Sequence, residues 1–369
     1  MTLDWAAGAA LAVWLYLFLG RGGFWRMRDA ALAPKPVSPA PAVVAVVPAR
    51  NEVEVIGPAV RSLAEQKYPG PFRIVVVDDD SSDGTGATAQ AAGGDRVSVL
   101  RAPPLEAGWT GKLWAVAHGV AAAGQPDYLL LTDADIVHAP ENLAALVAQA
   151  ANGYDLVSLM VTLRCQTTGE RALIPAFVFF FLMLYPPAWI RSSRHRTAGA
   201  AGGCILIRRE RLERIGGIAR VRRELIDDCA LARAVKQAGG RVWLGLSAET
   251  HSIREYRTFA EIGGMISRTA FTQLSYSWLA LSGTVIGLAL TYLIPPAAAL
   301  AGHVLGGAAW ILMCLAYLPA LRFYRRSPLW APLLPLVAAF YLGATVYSGL
   351  AHARGRGGQW KGRAQACRE

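Results

Sequence analysis

Two short acidic clusters, each placed directly behind a run that reads as a buried strand, constrain this chain more than any other feature. Asp78-Asp79-Asp80 follows Ile74-Val75-Val76-Val77, and Asp133-Ala134-Asp135 follows Tyr128-Leu129-Leu130-Leu131-Thr132. Apolar runs of this length suit parallel strands covered on both faces. Ligands of open α/β sheets bind beyond the carboxyl ends of such strands. At least four carboxylates therefore gather at one sheet edge, where they repel each other unless a cation or hydrogen-bond donors lie among them. That combination suits a divalent metal ion and a phosphorylated ligand.

Between residues 43 and 275 strand-like and helix-like patterns alternate. Val43–Val47, Ile74–Val77, Val97–Leu100, Tyr128–Thr132, Leu156–Thr162 and Cys204–Arg208 are predicted strands. Glu54–Gln66, Gly84–Ala92, Leu113–Ala123, Asn142–Ala151 and Asp228–Ala238 are predicted helices, the second with Asp83 or Ser82 as N-cap and the last ended by Gly239-Gly240. This order predicts an α/β domain, Rossmann-like, with a mostly parallel sheet flanked by helices. Gly84-Thr85-Gly86-Ala87-Thr88-Ala89 fits the GxGxxA dinucleotide fingerprint. It follows the second strand rather than the first, sits behind acids that repel a pyrophosphate, and has no acid about 20 residues on at a strand end; it reads as a helix start.

The chain is 54% apolar with mean hydropathy +0.32, high for a soluble protein, and the excess lies at both ends. Trp5–Leu19 is uncharged and is followed by Arg21, Arg26 and Arg28. Residues 1–20 are thus predicted to be a transmembrane anchor that delivers the chain to the cytoplasm. A signal peptide cleaved after Ala31-Leu32-Ala33 is the rival; Asp4 ahead of the segment and Pro34 behind it oppose that reading. Residues 21–42 form a basic, Pro-rich linker. The region 276–351 is membrane-like again, with predicted spans near 278–294 and 297–319 joined at Pro295-Pro296. In a third stretch, 328–350, Pro332 and Pro335 permit a re-entrant or surface-lying piece. Arg322, Arg325 and Arg326 before it, and the basic tail 352–369 after it (Arg354, Arg356, Lys361, Arg363), both favour the cytoplasm, which one ordinary span between them does not satisfy.

Ala172–Ile190 is 19 residues long without a charge, enough for a span. A span there would put Asp133 and Asp135 across the bilayer from Asp227 and Asp228. An interfacial segment over 172–196 is preferred, with Arg191, Arg194, His195 and Arg196 on headgroups; a core helix is the alternative. The expected location is the inner (cytoplasmic) membrane, with domain 43–275 in the cytoplasm. The formal charge of +11 fits the positive-inside bias, and no RNA- or DNA-binding motif accompanies it, so nucleic acid is not an expected partner. Five scattered cysteines without CxxC or His/Cys spacing read as reduced thiols.

Asp133 and Asp135 are spaced i, i+2, which in extended backbone points both side chains to one face. Such a pair holds a hard divalent ion while leaving positions for water and phosphate oxygens; aspartate is also common in plain turns. Lys112, in Gly108-Trp109-Thr110-Gly111-Lys112, can act as a point charge on phosphate or be a solvated helix-start lysine. Asp227 and Asp228 open a helix, where one serves as an N-cap and the other as a general base if burial and neighbouring carboxylates raise its pKa. Gly202-Gly203 lets an acceptor come close to the backbone. Arg254 and Arg268 are spare cations, for headgroups or for a diphosphate.

Taken together, Pro48-Ala49-Arg50-Asn51-Glu52, Val77-Asp78-Asp79-Asp80-Ser81-Ser82-Asp83-Gly84-Thr85, Gly111-Lys112, Thr132-Asp133-Ala134-Asp135 and Asp227-Asp228-Cys229-Ala230-Leu231 resemble the family 2 glycosyltransferases, inverting enzymes of the GT-A fold. The likeness covers roughly residues 43–270. GWTGK, with an N-terminal anchor and a C-terminal membrane hairpin, is similar to the lipid-modifying branch that includes ceramide and carotenoid glycosyltransferases, and above all to the hopene-associated group. The resemblance implies transfer of a single sugar, a hexosyltransferase-type reaction of class EC 2.4, from a nucleotide sugar (a UDP-sugar) to a membrane lipid such as a hopanoid. Asp79 would bind the base, with Pro48, Arg50 and Glu52 lining that pocket. Asp133 would contact the ribose or sugar, and Asp135 with Asp133 would hold Mg²⁺ or Mn²⁺ against the diphosphate. Lys112 and Arg268 would serve the donor's phosphates. Asp228, beside Asp227, would deprotonate an acceptor hydroxyl near Gly202 and Gly203 in one in-line displacement. A membrane nucleotide-sugar sensor or scaffold without turnover is one alternative. A polysaccharide synthase subunit is another, opposed by Met265-Ile266-Ser267-Arg268-Thr269, which keeps only the arginine of the processive Gln-x-x-Arg-Trp motif. Asp80 replaces the usual glycine of Asp-Asp-Gly, and Asp227 the usual glutamate of Glu-Asp. Trp360-Lys361-Gly362-Arg363 resembles a terminal motif of membrane members and favours a cytoplasmic tail.

Overall fold

The computed structural model describes residues 2–360, 363 and 364; Lys361, Gly362 and Cys367 lie outside the described residues. The chain divides into two compact units. The first comprises Asp29–Arg164 and Trp189–Arg254 with the C-terminal residues from Gln359. Its eight-stranded sheet is built from β1 (Val43–Ala49), β2 (Phe72–Asp78), β3 (Val97–Arg101), β4 (Tyr128–Thr132), β5 (Ile136–Val137), β6 (Leu156–Thr162), β7 (Cys204–Arg208) and β8 (Val242–Ser252), in the order β3-β2-β1-β4-β7-β6-β8-β5. β3, β2, β1 and β4 run parallel; β7 is antiparallel to β4 and β6; β6 and β8 are parallel, and β5 pairs antiparallel with β8. This is the α/β, mostly parallel architecture expected from the alternation.

β1 and β4 are buried at every position. They are covered on both faces, so they read as unbroken apolar runs rather than as alternating ones. The helix Gly111–Ala122 lies so close to the sheet that a Cβ on Gly119 would come 2.4 Å from Val46 Cγ1 and 2.9 Å from Val77 Cγ2. Two helix starts differ from expectation. The N-cap of Thr85–Gly93 is Gly84, at φ 89°, and not Asp83 or Ser82; Asp83 instead accepts the Thr85 N–H at 3.0 Å and the Val53 N–H at 3.1 Å. The helix Asp227–Gln237 begins behind Ile226, so neither aspartate is its cap. β8 was not legible in the sequence. Its apolar half, Val242–Leu246, is short, and its second half, Glu249-Thr250-His251-Ser252, is polar because there it pairs only with two-residue β5 and the end of β6.

The second unit comprises Met1–Arg28, Cys165–Ala188 and Glu255–Gly358. Among the described residues, five helices are long and apolar enough to cross a membrane: Leu3–Gly20, Thr168–Arg191, Trp278–Leu300, Val304–Phe323 and Pro328–Ala353. The expected break at Pro295-Pro296 is absent. A five-residue π-helical turn, Ala289–Leu293, precedes the prolines, widening the hydrogen-bond register just ahead of two residues that have no N–H to give. The chain reverses instead at Ala301-Gly302-His303, with Gly302 at φ 86°. Pro332 lies inside the 3-10 turn Pro328–Leu333, and Pro335 sits in the first turn of the unbroken helix Leu334–Ala353, where a missing N–H costs nothing.

The uncharged run from Ala172 falls mostly in the helix Thr168–Leu184, opened by a capping box between Thr167 and Glu170. Ile174, Ala176, Val178 and Phe179 are fully buried, and Phe179 packs against Phe24 and Tyr317. Arg21 Nε donates to the Met183 carbonyl at 3.0 Å, satisfying an acceptor in the last turn. The short helix Pro187–Arg191 follows.

Candidate active site

The loops that leave β1 and β2 are knitted together by hydrogen bonds. Asn51 N–H donates to Ser81 Oγ (3.0 Å), Ser82 N–H to Asn51 Oδ1 (3.0 Å), and Glu52 N–H to Thr85 Oγ1 (2.8 Å). Arg50 Nη1 donates to the Asp79 carbonyl and lies 3.8 Å from the Asp79 carboxylate, which is 1% exposed. Arg50 Nε is buried with no hydrogen-bond partner among the described residues. The third aspartate is accounted for: Asp80 sits at φ 59°, in the left-handed region where glycine is easiest and aspartate is tolerated, and pairs with Arg101 at 2.6 Å.

The Asp133-Ala134-Asp135 triplet is a turn, not extended backbone, so its two carboxylates do not share one set of partners. Asp133 Oδ1 is 2.9 Å from Lys112 Nζ. Asp135 Oδ2 accepts from Ser252 Oγ at 2.5 Å and lies 3.4 Å from Arg254 Nε. Arg254 Nη2 also donates to both oxygens of Glu52 at 2.8 Å. Arg254 therefore ties the loop after β1 to the end of β4. Of its two open readings, the structure puts its guanidinium among the site's carboxylates. Burial raises the pKa of Asp135, as do Asp133 and Glu52, while Arg254 and the Ser252 hydroxyl oppose them.

A cleft at the end of β4 is lined by Pro48, Lys112, Asp133, Gly202, Asp227 and Asp228, with apolar side chains behind them. Lys112 Nζ is 3.4 Å from Asp227 Oδ2 as well as 2.9 Å from Asp133. Burial pulls its pKa down, but Asp133, Asp227 and Asp228 outweigh that and raise it, so Lys112 is a permanent cation. It is no solvated helix-start lysine. Asp228 Oδ2 accepts the Gly202 N–H at 2.8 Å, and Oδ1 accepts its neighbour's, Cys229 N–H, at 2.7 Å. Its carboxyl is pushed up to about 6, by burial first and then by Asp227, against Lys112 and the two N–H donors. Gly202 leaves room for this approach: a Cβ there would lie 3.3 Å from Lys112 Nζ and 3.4 Å from Asp228 Oδ2. Gly203 offers its carbonyl to Thr132 Oγ1 at 2.8 Å. Arg268 is exposed on the helix Phe259–Gln273 of the helical unit.

The donor chemistry of Asp133 and Asp135, hard carboxylate oxygens with the ionised form of buried Asp135 disfavoured in the absence of a further cation, fits Mg²⁺ or Mn²⁺. Among the described residues no three His, Cys, Asp or Glu side chains are arranged to hold an ion by themselves. Any ion held here would take its further ligands from a bound phosphate or from water. The sequence reading missed Arg254's place, Ser252, and the buried polar residues under the cleft. The signals were present only as an undetected strand and as ordinary-looking Thr, Ser and His.

Residues 44–216 match the family described as "Glycosyl transferase family 2". That match covers a little under half of the chain. The chain is 34% identical over 117 residues to an undecaprenyl-phosphate 4-deoxy-4-formamido-L-arabinose transferase from Pectobacterium carotovorum subsp. carotovorum (strain PC1), covering 31% of this chain and 35% of that protein. A protein of the same name from Yersinia enterocolitica serotype O:8 / biotype 1B is 32% identical over 114 residues, 30% of this chain and 34% of that one. The chain thus spans about a third of the length of these relatives. A mannosyltransferase, PcManGT from Pyrobaculum calidifontis, solved with GDP-Man and Mn²⁺, superposes with a TM-score of 0.58 at 21% identity, over 94% of this chain and 99% of that one. The shared fold is the GT-A-like α/β fold.

Proposed function

We propose that this protein moves one sugar from a nucleotide sugar to a hydroxyl of a membrane lipid, with inversion at the anomeric carbon. The observation that carries the proposal is Asp228: a carboxylate pushed to about 6, aimed by two backbone N–H groups into the cleft that holds Asp133 and Lys112. A base whose pKa lies near the working pH combines adequate basicity with a large ionised fraction. Asp228 takes the acceptor's proton, and Asp227 holds Lys112 beside it. The Arg50–Asp79 pair with Glu52 and Pro48 forms the nucleobase side, and Asp133 the ribose or sugar side. Asp135 and Asp133 would hold a divalent cation, which would supply charge neutralisation for the departing nucleoside diphosphate. Lys112 adds a fixed positive charge for the same purpose.

The long apolar helices Leu3–Gly20, Trp278–Leu300, Val304–Phe323 and Pro328–Ala353 support residence in a membrane and a lipid as acceptor, and the basic flank Arg21, Arg26 and Arg28 supports a cytoplasmic α/β domain. A neutral polycyclic or hopanoid-type alcohol fits a site that contains a base. A lipid phosphate is the second reading, favoured by the names of the two bacterial relatives. It needs no base, and it would meet the carboxylates of Asp133, Asp227 and Asp228 already crowded around one lysine. The test is purified full-length protein in detergent with Mn²⁺, offered UDP-glucose, UDP-N-acetylglucosamine or GDP-mannose together with hydroxylated neutral lipids or undecaprenyl phosphate. Release of nucleoside diphosphate with a sugar-bearing alcohol by mass spectrometry is expected. Glycosylation of undecaprenyl phosphate alone replaces the hydroxyl reading with the second, and no release with any pair overturns both.

A further inference from the structure

We propose that Thr132 and Ser158 are positioning residues for Asp228, holding the turn that presents the Gly202 N–H to its carboxylate; this rests on the reading of Asp228 as the base. The turn Ala201-Gly202-Gly203-Cys204 is closed by Cys204 N–H donating to the Ala201 carbonyl at 3.2 Å. Two buried hydroxyls pin it from beneath. Ser158 on β6, 0% exposed, accepts the Ala201 N–H at 2.9 Å and donates to the Ala201 carbonyl at 3.2 Å. Thr132, the last residue of β4 and 2% exposed, donates to the Gly203 carbonyl at 2.8 Å. Between the pins the Gly202 N–H reaches Asp228 at 2.8 Å.

The direction of every bond beneath Thr132 follows from proton counting. Its hydroxyl hydrogen is given to Gly203, so toward His138 Nε2, 3.0 Å away, it accepts. The hydrogen of His138 therefore sits on Nε2, and its Nδ1 accepts from Asn142 Nδ2 at 3.0 Å. Burial pushes the pKa of His138 down to about 3, so the ring stays neutral and this arrangement holds across the working range. A directed chain, Asn142 to His138 to Thr132 to Gly203, thus fixes the rotor of the threonine. The pins are needed because two adjacent glycines form the least rigid backbone available. A side chain at Gly202 would press its Cβ against Lys112 Nζ and Asp228 Oδ2, so the stiffening comes from beneath. Neither hydroxyl has a hydrogen left for substrate; both act through the turn.

The experiment uses the full chain in detergent, with the donor and lipid on which the wild type is active, and compares Thr132→Val, Thr132→Ser and Ser158→Ala. Kinetics are read beside deuterium exchange of a peptide covering residues 199–205 and binding of UDP with Mn²⁺. Thr132→Val is expected to speed exchange in that peptide and lower kcat by ~10- to 100-fold, the usual consequence of a misplaced catalytic group, while the donor KM and UDP binding stay within about twofold because uniform binding is untouched. Thr132→Ser is expected to restore both exchange protection and most of kcat. Should Thr132→Val not fold, Ser158→Ala carries the same expectation. Unchanged exchange in the variants, or faster exchange with full kcat, overturns the positioning role while leaving Asp228 as base. A wild type that releases nucleoside diphosphate normally but loses nothing in Asp228→Asn overturns the reading on which the role rests.

Discussion

Replacing Asp228 by asparagine keeps the shape of the side chain and removes its basicity. On the proposed mechanism the acceptor hydroxyl then has no carboxylate to receive its proton, and turnover is expected to fall by ~10²- to 10⁴-fold, the usual worth of general acid–base catalysis. The wild-type profile follows from the sign of the shift. The carboxyl is raised from 3.8 to about 6, so the active, ionised form dominates above that value and is lost below it. Between pH 7 and pH 5 the ionised fraction drops about tenfold, and the rate should drop with it. Stability serves as the control. Ionising a carboxylate whose folded pKa is raised by about 2 units costs at most ~3 kcal/mol, less here because the side chain keeps some contact with solvent. Asparagine avoids that cost at pH 8. It also offers one acceptor oxygen to two N–H donors, Gly202 and Cys229, leaving one unsatisfied at about 1–3 kcal/mol. The two effects nearly cancel, so melting temperatures of the two proteins at pH 8 should agree closely while their rates differ by orders of magnitude. The assay is nucleoside diphosphate release from pH 5 to 9. A wild-type rate that is flat from pH 5 to 7, or an Asp228→Asn protein at full rate, refutes the reasoning.

Lys112→Met removes the cation that lowers the Asp228 pKa; the acid limb of the rate profile should move up by ~1 pH unit, and an unmoved limb would show that Lys112 does not act on Asp228. Asp135→Ala should abolish Mn²⁺-dependent UDP binding in calorimetry, and chelation of the wild type should do the same; binding that survives both argues that Arg254 and Lys112 hold the diphosphate without a metal. Asp80→Gly relieves a left-handed aspartate at φ 59° and removes an exposed pair with Arg101; with each effect worth up to ~1 kcal/mol, stability should change by less than about 1 kcal/mol and turnover should not change.

Several elements were readable because their causes are local or periodic. β1 and β4 announce themselves as unbroken apolar runs, and Tyr128–Thr132, Asn142–Ala151, Leu156–Thr162 and Cys204–Arg208 have the bounds their sequences predict. The acidic clusters fall at strand ends for the same reason. At Asp133-Ala134-Asp135 the i, i+2 spacing predicts extended backbone, and the structure has a turn there. Spacing alone cannot distinguish extended backbone from a turn, and it is the turn that sends Asp133 to Lys112 and Asp135 to Arg254. Pro295-Pro296 looked like a break, since local preference says so; a π-helical turn placed just before it carries the helix on to Leu300.

By itself the sequence determined the α/β class, six of the eight strands of the main sheet with the helices between them, the apolar segments, and the carboxylates that gather behind β2 and β4, because side-chain period and burial are written into neighbouring residues. Only tertiary structure decided the pairing of charges. Arg254 reaches Glu52 from 202 positions away, and Ser158 and Thr132 meet a turn about Gly202 that lies 43 and 71 positions further along the chain. Hydrogen bonds and ion pairs of that range depend on how strands are ordered and registered in the sheet, and no local pattern encodes which distant partner a buried polar group will find.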